Sequence, residues 1–174
     1  NAFLFLTPGA TGDAEAFHLT GLVVAQTENF KFMNGAEGFY SVVGAIYWLF
    51  GINKLTGQEF TVLMFASSCI VLVKILRLIG LYDNSVSILI VFGALPSMVF
   101  FGSVTLRESY AILFFMLTFH FGMKLHLKKG GRINYIFIVA SAYFMGILHP
   151  ALMAYALCLI CLLFIYSCAV RHIS

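Results

Sequence analysis

The chain is laid out as long apolar blocks separated by short polar punctuation. A helix needs about 20 mostly apolar residues to cross a hydrocarbon core of about 30 Å. Five blocks meet or approach that length: Phe60 to Gly80, Ser85 to Gly102, Ser109 to Leu127, Ile133 to Leu148 and Ala151 to Val170. The second contains Pro96, which predicts a kink of the kind membrane helices tolerate. The fourth is a little short and ends at His149-Pro150. A further block, Phe39 to Ile52, is apolar but only about 14 residues long, which predicts a short, tilted or re-entrant helix.

Polar positions cluster upstream of these blocks. The stretch from Gly12 to Gly38 carries Asp13, Glu15, Glu28, Lys31 and Glu37 and is too polar to span. It predicts an outer-face segment with an interfacial amphipathic helix, closed by a turn at Asn34-Gly35. Residues 1–7 read as the tail of an incomplete transmembrane helix, and the chain as a fragment of a larger protein. The predicted class is all-α: a polytopic transmembrane helix bundle with an N-terminal interfacial amphipathic helix. Residues 1–174 form a single membrane domain, with five transmembrane helices across 60–170.

Composition sharpens this picture by exclusion. Of 174 residues, 61% are hydrophobic and 10% charged, with a net charge of +3 and a mean hydropathy of +0.99. A soluble domain is roughly 45–50% apolar and about 25% charged, so a soluble globular enzyme is excluded. A disordered chain needs the opposite balance. The few basic residues sit at the ends of apolar blocks and form no stripe, which excludes a nucleic-acid binder. Cys69, Cys158, Cys161 and Cys168 all lie inside apolar blocks and read as small core residues.

The basic residues set the orientation. Lys74 and Arg77 close one block, Lys124, Lys128, Lys129 and Arg132 fill a loop, and Arg171 closes the last block. Counting helices places all three clusters on one face, taken as cytoplasmic, in a plasma or inner membrane. The outer face then receives Asn53 to Glu59, Thr105 to Glu108 and His149-Pro150. Asp13 joins them if 39–52 is re-entrant and is separated from them if it spans.

Three places could carry chemistry. In Gly12-Asp-Ala-Glu-Ala-Phe-His18, Asp13 could act as general base toward a hydroxyl, or hold a divalent cation with Glu15 or His18. On a regular helix positions i and i+2 diverge by about 200°, so Asp13 and Glu15 converge only if Asp13 precedes the helix. The structural alternative is that Thr11 or Asp13 caps that helix. In Thr105-Leu-Arg-Glu-Ser109, Arg107 suits phosphate oxygens, while Thr105 and Glu108 match a capping box. His149 could donate to a phosphate or favour the dipole of the helix before it. His120 and His126 read as core or interface residues, and Trp48 with Tyr40 and Tyr47 as interfacial anchors.

The order of these weak motifs carries a resemblance. Gly12-Asp13 with His18 follows an apolar tail; a short block ends Tyr47-Trp-Leu-Phe-Gly51; a longer one closes Val73-Lys-Ile-Leu-Arg-Leu-Ile-Gly80. The next reads Leu95-Pro-Ser-Met-Val-Phe-Phe-Gly-Ser103 and continues Leu106-Arg-Glu108. From about Gly12 to about Pro150 the chain resembles the N-terminal part of GT-C-type membrane glycosyltransferases, the superfamily of protein mannosyltransferases and lipid A aminoarabinose transferases. The resemblance implies transfer of a sugar from a polyprenyl-phosphate donor to an acceptor on the outer face. It implies a catalytic role for Asp13, with Glu15 beside it, and substrate contacts for His18, Arg107, Glu108 and His149. Relatives commonly carry two adjacent acidic residues where Ala14 separates Asp13 from Glu15 here, and many carry Arg where this chain has His149. Membrane lipid and a lipid-linked sugar are the expected partners, and a divalent cation is a possible cofactor. The alternatives are a polysaccharide polymerase of the O-antigen type, which relies on Arg-rich outer loops, and a non-catalytic or transport module.

Overall fold

The computed structural model describes residues 10–31, 35–103, 105–129, 131–155 and, beyond these, 157, 158, 161, 162 and 165. The elements are α1 (Ala10–Thr27), α2 (Ala36–Phe50), α3 (Lys54–Leu78), α4 (Ser85–Ala94), α5 (Pro96–Ser103), α6 (Arg107–His126) and α7 (Ile133–Leu148). No strand occurs among the described residues. The apolar tail expected at 1–7, Asn34 of the expected turn, Cys168, Arg171 and much of the 151–170 block lie outside the described residues; residues 150–155 are helical.

Local chemistry sets the boundaries. Gly35 (φ +83°) opens α2 and Gly51 (φ +96°) closes it, with the Gly51 N–H donating to the Tyr47 carbonyl. Both angles are ones that side chains other than glycine rarely adopt. The Asn53 side chain accepts from the Leu55 N–H and caps α3. The helix therefore begins at Lys54, inside what the sequence suggests is a loop to Glu59. The expected kink at Pro96 is a full break. Leu95 is extended (ψ 126°) between α4 and α5, because a residue before proline is pushed out of the helical region and proline itself donates no hydrogen bond. The capping box does not form. Leu106 is the N-cap of α6 and no side chain caps it.

The helices assemble around one end. Gly57, early in α3, lies against Thr105 just before α6, and Val71 and Ile75 cluster with Leu113, so α3 and α6 run parallel. Antiparallel α7 follows α6 through stacked rings, Phe114 on Phe144 (5.3 Å) and Phe121 on Phe137 (4.8 Å). The α4–α5 pair packs on α3, where Phe65 stacks on Phe92 at 5.9 Å. The short helix α2 lies across the end at which α6 begins and α7 finishes. Its start is tied to α7, the Gly35 N–H donating to the Ile147 carbonyl at 2.6 Å, and its last turn brings Tyr47 against Gly57. Phe39, Val43, Ile46 and Tyr47 form its buried face, clustered with Phe17, Leu106, Tyr110 and Leu148. Phe39 is fully buried, edge-on to Phe17 (4.7 Å) and Tyr110 (5.2 Å).

Helix α1 crosses α2 at a pair of glycines. A Cβ on Gly44 would lie 2.6 Å from Val24 Cγ1 and 3.1 Å from the Gly21 carbonyl; one on Gly21 would lie 2.6 Å from Val43 Cγ1. The absence of side chains here lets the backbones touch. The apolar residues of α1 do not gather in the single stripe expected of an interfacial amphipathic helix. Ala14, Phe17 and Ala25 are buried, while Leu19 and Val23 are more than half exposed.

Length and burial bear on the membrane. At 1.5 Å per residue, the 25 residues of α3 reach about 37 Å and the 20 of α6 about 30 Å, but the 16 of α7 only about 24 Å. Among the described residues, α3 alone is long and apolar enough to cross a bilayer by itself, and α4 and α7 are shorter apolar helices. This falls short of the five spans expected. Pro96 divides one block, α7 is short, α6 carries Arg107, Glu108 and Lys124 near its ends, and the fifth lies partly outside the described residues. Burial is mixed, with large apolar side chains both inside the bundle and on its outer surface. Helix α3 buries Gly57, Thr61 and Ser68 together with Val71, Ile75 and Leu76 and exposes Val62, Leu63 and Ile70; α7 buries Asn134 and Ser141 beside Ile138 and Met145, and exposes Ile136, Val139 and Tyr143. The hydroxyls of Thr61, Ser68, Thr118 and Ser141 each donate to the carbonyl four residues earlier, so they are buried without losing a partner.

The glycine crossing gives a stability test. Gly44→Ala gains about 0.5–1 kcal/mol of helix propensity, but overpacking of this kind costs about 1–3 kcal/mol. The expected result is a lower thermal unfolding midpoint. Gly12→Ala, where nothing lies within 4 Å of the added carbon, is expected to raise the midpoint slightly.

Candidate functional site

The end formed by α1, α2, the starts of α3 and α6 and the finish of α7 collects most of the polar groups singled out in the sequence. Its centre is Tyr47, which is 1% exposed. Its hydroxyl meets His18 Nδ1 at 2.8 Å, and the two rings pack edge to face at 5.6 Å. The tautomer decides which group donates. Tyr47 can sit there because Gly57 has no side chain. A Cβ on Gly57 would lie 2.9 Å from the Tyr47 hydroxyl and 3.1 Å from Thr105 Oγ1. Thr105, expected to cap α6, turns its hydroxyl toward α3 instead.

His18 is held below its ordinary pKa of 6.5, first by burial and then by the charge of Lys54; Glu15, one turn earlier, pulls the other way. The neutral imidazole is the form that can both accept and donate, which suits a buried phenol as its partner.

The remaining site residues fall as follows. Asp13 and Glu15 are both exposed on α1. Because α1 starts at Ala10, Asp13 lies within its first turn rather than before it, and the two carboxylates diverge. Asp13 therefore sits where a carboxylate favours the helix dipole. Arg107 and Glu108 open α6 as an ion pair of 3.6 Å, each about a third exposed. Glu108 Oε2 is buried and has no hydrogen-bond partner. His149 caps α7, its N–H donating to the Met145 carbonyl, and its Nδ1 is likewise buried and unpartnered. His18, Arg107, Glu108 and His149 are thus carried by segments that meet at this end through Tyr47, Leu106, Tyr110 and Leu148. Asp13 is carried there by its neighbour Ala14, which belongs to the same cluster.

For a divalent cation the donor set does not fit. Among the described residues no group of three or more His, Cys, Asp or Glu could hold a metal ion. His18 is engaged with Tyr47, and Asp13 and Glu15 point apart.

Tyr47, Thr105 and Lys54 were not singled out as site residues. The signal for Tyr47 was present: with Phe39 and Val43 it stands at i, i+4 and i+8 on one helix face, which argues for burial rather than interfacial anchoring. Trp48, just off that face, is exposed and donates to Glu28 Oε1 at 3.2 Å. The proximity of Thr105 and Lys54 to the site depends on how α3 and α6 pack, which no local pattern encodes.

The His18 environment predicts acid sensitivity. A folded-state pKa below 6.5 means that the unfolded chain binds more protons over that interval. This group's stabilisation is complete above pH 6.5 and is lost as pH falls through the folded value. Unfolding midpoints measured between pH 7.5 and 5 are expected to fall less steeply in His18→Gln than in the parent chain. Tyr47→Phe should cost about 1 kcal/mol at neutral pH by leaving the imidazole without its partner. Comparison with known protein families, with curated proteins and with solved structures finds no match for this chain.

Proposed function

We propose that this chain is part of a multi-pass membrane protein, and that the polar end of its bundle forms the outer-face site of a GT-C-type glycosyltransferase. The membrane part of the reading is supported by the many large apolar side chains that α3 and α7 turn outward. Contiguous apolar surface of that kind marks a lipid or partner interface. Burial of α2 across one end agrees with a segment that enters and leaves on the same side.

The observation that carries the enzymatic part is the meeting of the Asp13–His18 segment, Arg107-Glu108 and His149 at one end, with two buried polar atoms lacking partners. The start of α6 is the positive end of its dipole, and Arg107 there suits a lipid-linked phosphate. Glu108 Oε2 and His149 Nδ1 are buried without partners, and in this reading they take sugar hydroxyls once the donor opens this end. Asp13 is exposed on α1, and in this reading it receives the acceptor. In this scheme the acceptor hydroxyl gives its proton to the Asp13 carboxylate and its oxygen bonds to the anomeric carbon. The bond from that carbon to the phosphate oxygen breaks, and polyprenyl phosphate leaves against Arg107. The non-catalytic reading draws on the Arg107–Glu108 pair, which could serve only to neutralise two neighbouring charges.

Transfer assays decide between them. Membranes containing the full-length parent protein would be supplied with labelled polyprenyl-phosphate hexose or pentose, and loss of label from the lipid followed. Asp13→Asn is expected to slow transfer by about 10²–10⁴-fold, as removal of a general base does, with Arg107→Ala and Glu108→Gln also impaired. Unchanged transfer in all three, with normal protein levels, would leave the non-catalytic reading in place.

A further inference from the structure

The opposite end of the bundle holds a second polar feature that the proposed transfer reaction does not use. Between the C-terminal halves of α3 and α6 lies a cavity of about 340 Å³, bordered by Lys74, Arg77, His120, Phe121 and Lys124. Its volume is at the lower end of the range for small-ligand sites, roughly 300–1,000 Å³. We propose that this cavity binds the phosphate of an anionic lipid headgroup.

Positive residues at helix ends commonly just reach for water. Here Lys74 and Arg77 of α3 and Lys124 of α6 border one cavity. Lys74 repeats with Val71 and Leu78 at helical spacing on α3, and Lys124 with Leu117, His120 and Phe121 on α6, so both lysines belong to facing stripes. Among the described residues no carboxylate pairs with any of the three cations. Arg77 is braced from outside the cavity, its guanidinium 4.5 Å over the Tyr82 ring and donating to the Tyr82 hydroxyl at 3.2 Å. Lys124 lies over Phe121 at 5.8 Å.

His120 is the independent observation. It is 5% exposed, it lines the cavity, and its Nδ1 has no hydrogen-bond partner. Buried polar atoms in folded proteins are nearly always satisfied. In the tautomer that carries its proton on Nδ1, this imidazole holds a donor beside Lys74 and Lys124, and a phosphate oxygen is an acceptor of the right charge for all of them. Val71, Leu78, Leu117 and Phe121 supply an apolar wall on which the glycerol and first acyl carbons can rest. Lys128, Lys129 and Arg132 follow in the next loop and add a general attraction to an anionic leaflet, worth less at this point than direct contacts.

This inference rests on the membrane reading, and its test separates the two. The full-length protein would be reconstituted from detergent into vesicles of pure phosphatidylcholine and into vesicles containing phosphatidylglycerol. Bound lipid would be measured by native mass spectrometry, with inorganic phosphate as competitor. The expected result is insertion into both vesicles with preferential retention of phosphatidylglycerol. That preference should fall about tenfold or more in Lys74→Ala/Lys124→Ala. It should fall clearly less in Lys128→Ala/Lys129→Ala, which removes the same charge outside the cavity, and Lys124→Arg should preserve it. His120→Phe, which keeps bulk without a donor, should weaken it with all the cations in place. Equal losses in the two double variants would overturn the site in favour of diffuse attraction. Displacement of the lipid by inorganic phosphate at equal concentration would overturn the lipid as the source. Failure to enter either vesicle would overturn the membrane reading and this inference with it.

Discussion

The packing of Phe39 is the contact on which the placement of α1 and α2 against the bundle depends. Its ring is fully buried, edge-on to Phe17 of α1 and Tyr110 of α6, so one side chain joins the consecutive helices α1 and α2 to α6, far along the chain. Truncating a residue of this kind costs about 3–5 kcal/mol. The larger consequence is positional. Phe39 pins the start of α2 to the start of α6, and Tyr47, two turns later, pins its last turn to Gly57 of α3. A helix fixed at both ends to one end of the bundle lies across it. The Asp13–His18 segment is thereby carried to the side where α6 begins and α7 finishes.

From that arrangement follows a molecule with two chemically distinct ends. One has a neutral imidazole bonded to a buried phenol, an ion pair at a helix start, and two buried polar atoms awaiting partners. The other has cations without carboxylates around an unsatisfied imidazole. Between them, hydroxylic residues are buried beside apolar ones, and further large apolar side chains face out. Hydroxyls that donate to their own helix make this possible, because each is buried at no cost in unpaired groups. The two ends thus offer different charges and different unpaired polar atoms.

Much of the helical layout was legible. Ile133 to Leu148 coincides with α7 to the residue, and Arg107 to His126 overlaps the expected block closely, because continuous apolar runs between charges leave little choice. Pro96 was visible as a disturbance, but its severity depended on Leu95 adopting an extended backbone. The Thr105–Glu108 spacing suggested a cap, yet tertiary packing against Gly57 took the threonine hydroxyl elsewhere. Candidate residues His18, Arg107, Glu108 and His149 could be named because ionisable groups between apolar blocks stand out. Their meeting at one end could not be read, since it turned on how α2 packs against the start of α6 and the finish of α7. The partner of His18 was hidden for the same reason: 29 residues separate it from Tyr47. The cavity beside His120 was invisible as well, because its two cationic stripes lie on helices whose parallel packing is not locally encoded.

The most direct test of this account is the sidedness of the Asp13 segment. In the full-length protein with Cys69, Cys158, Cys161 and Cys168 replaced, single cysteines at positions 13, 54, 150 and 128 would be probed with an impermeant thiol reagent on intact cells. Labelling at 13, 54 and 150 from outside, with 128 reacting only after the membrane is opened, is the predicted result. Labelling of 13 together with 128, and apart from 54 and 150, would contradict it, because α2 would then cross the membrane and the candidate site would be split between its two faces.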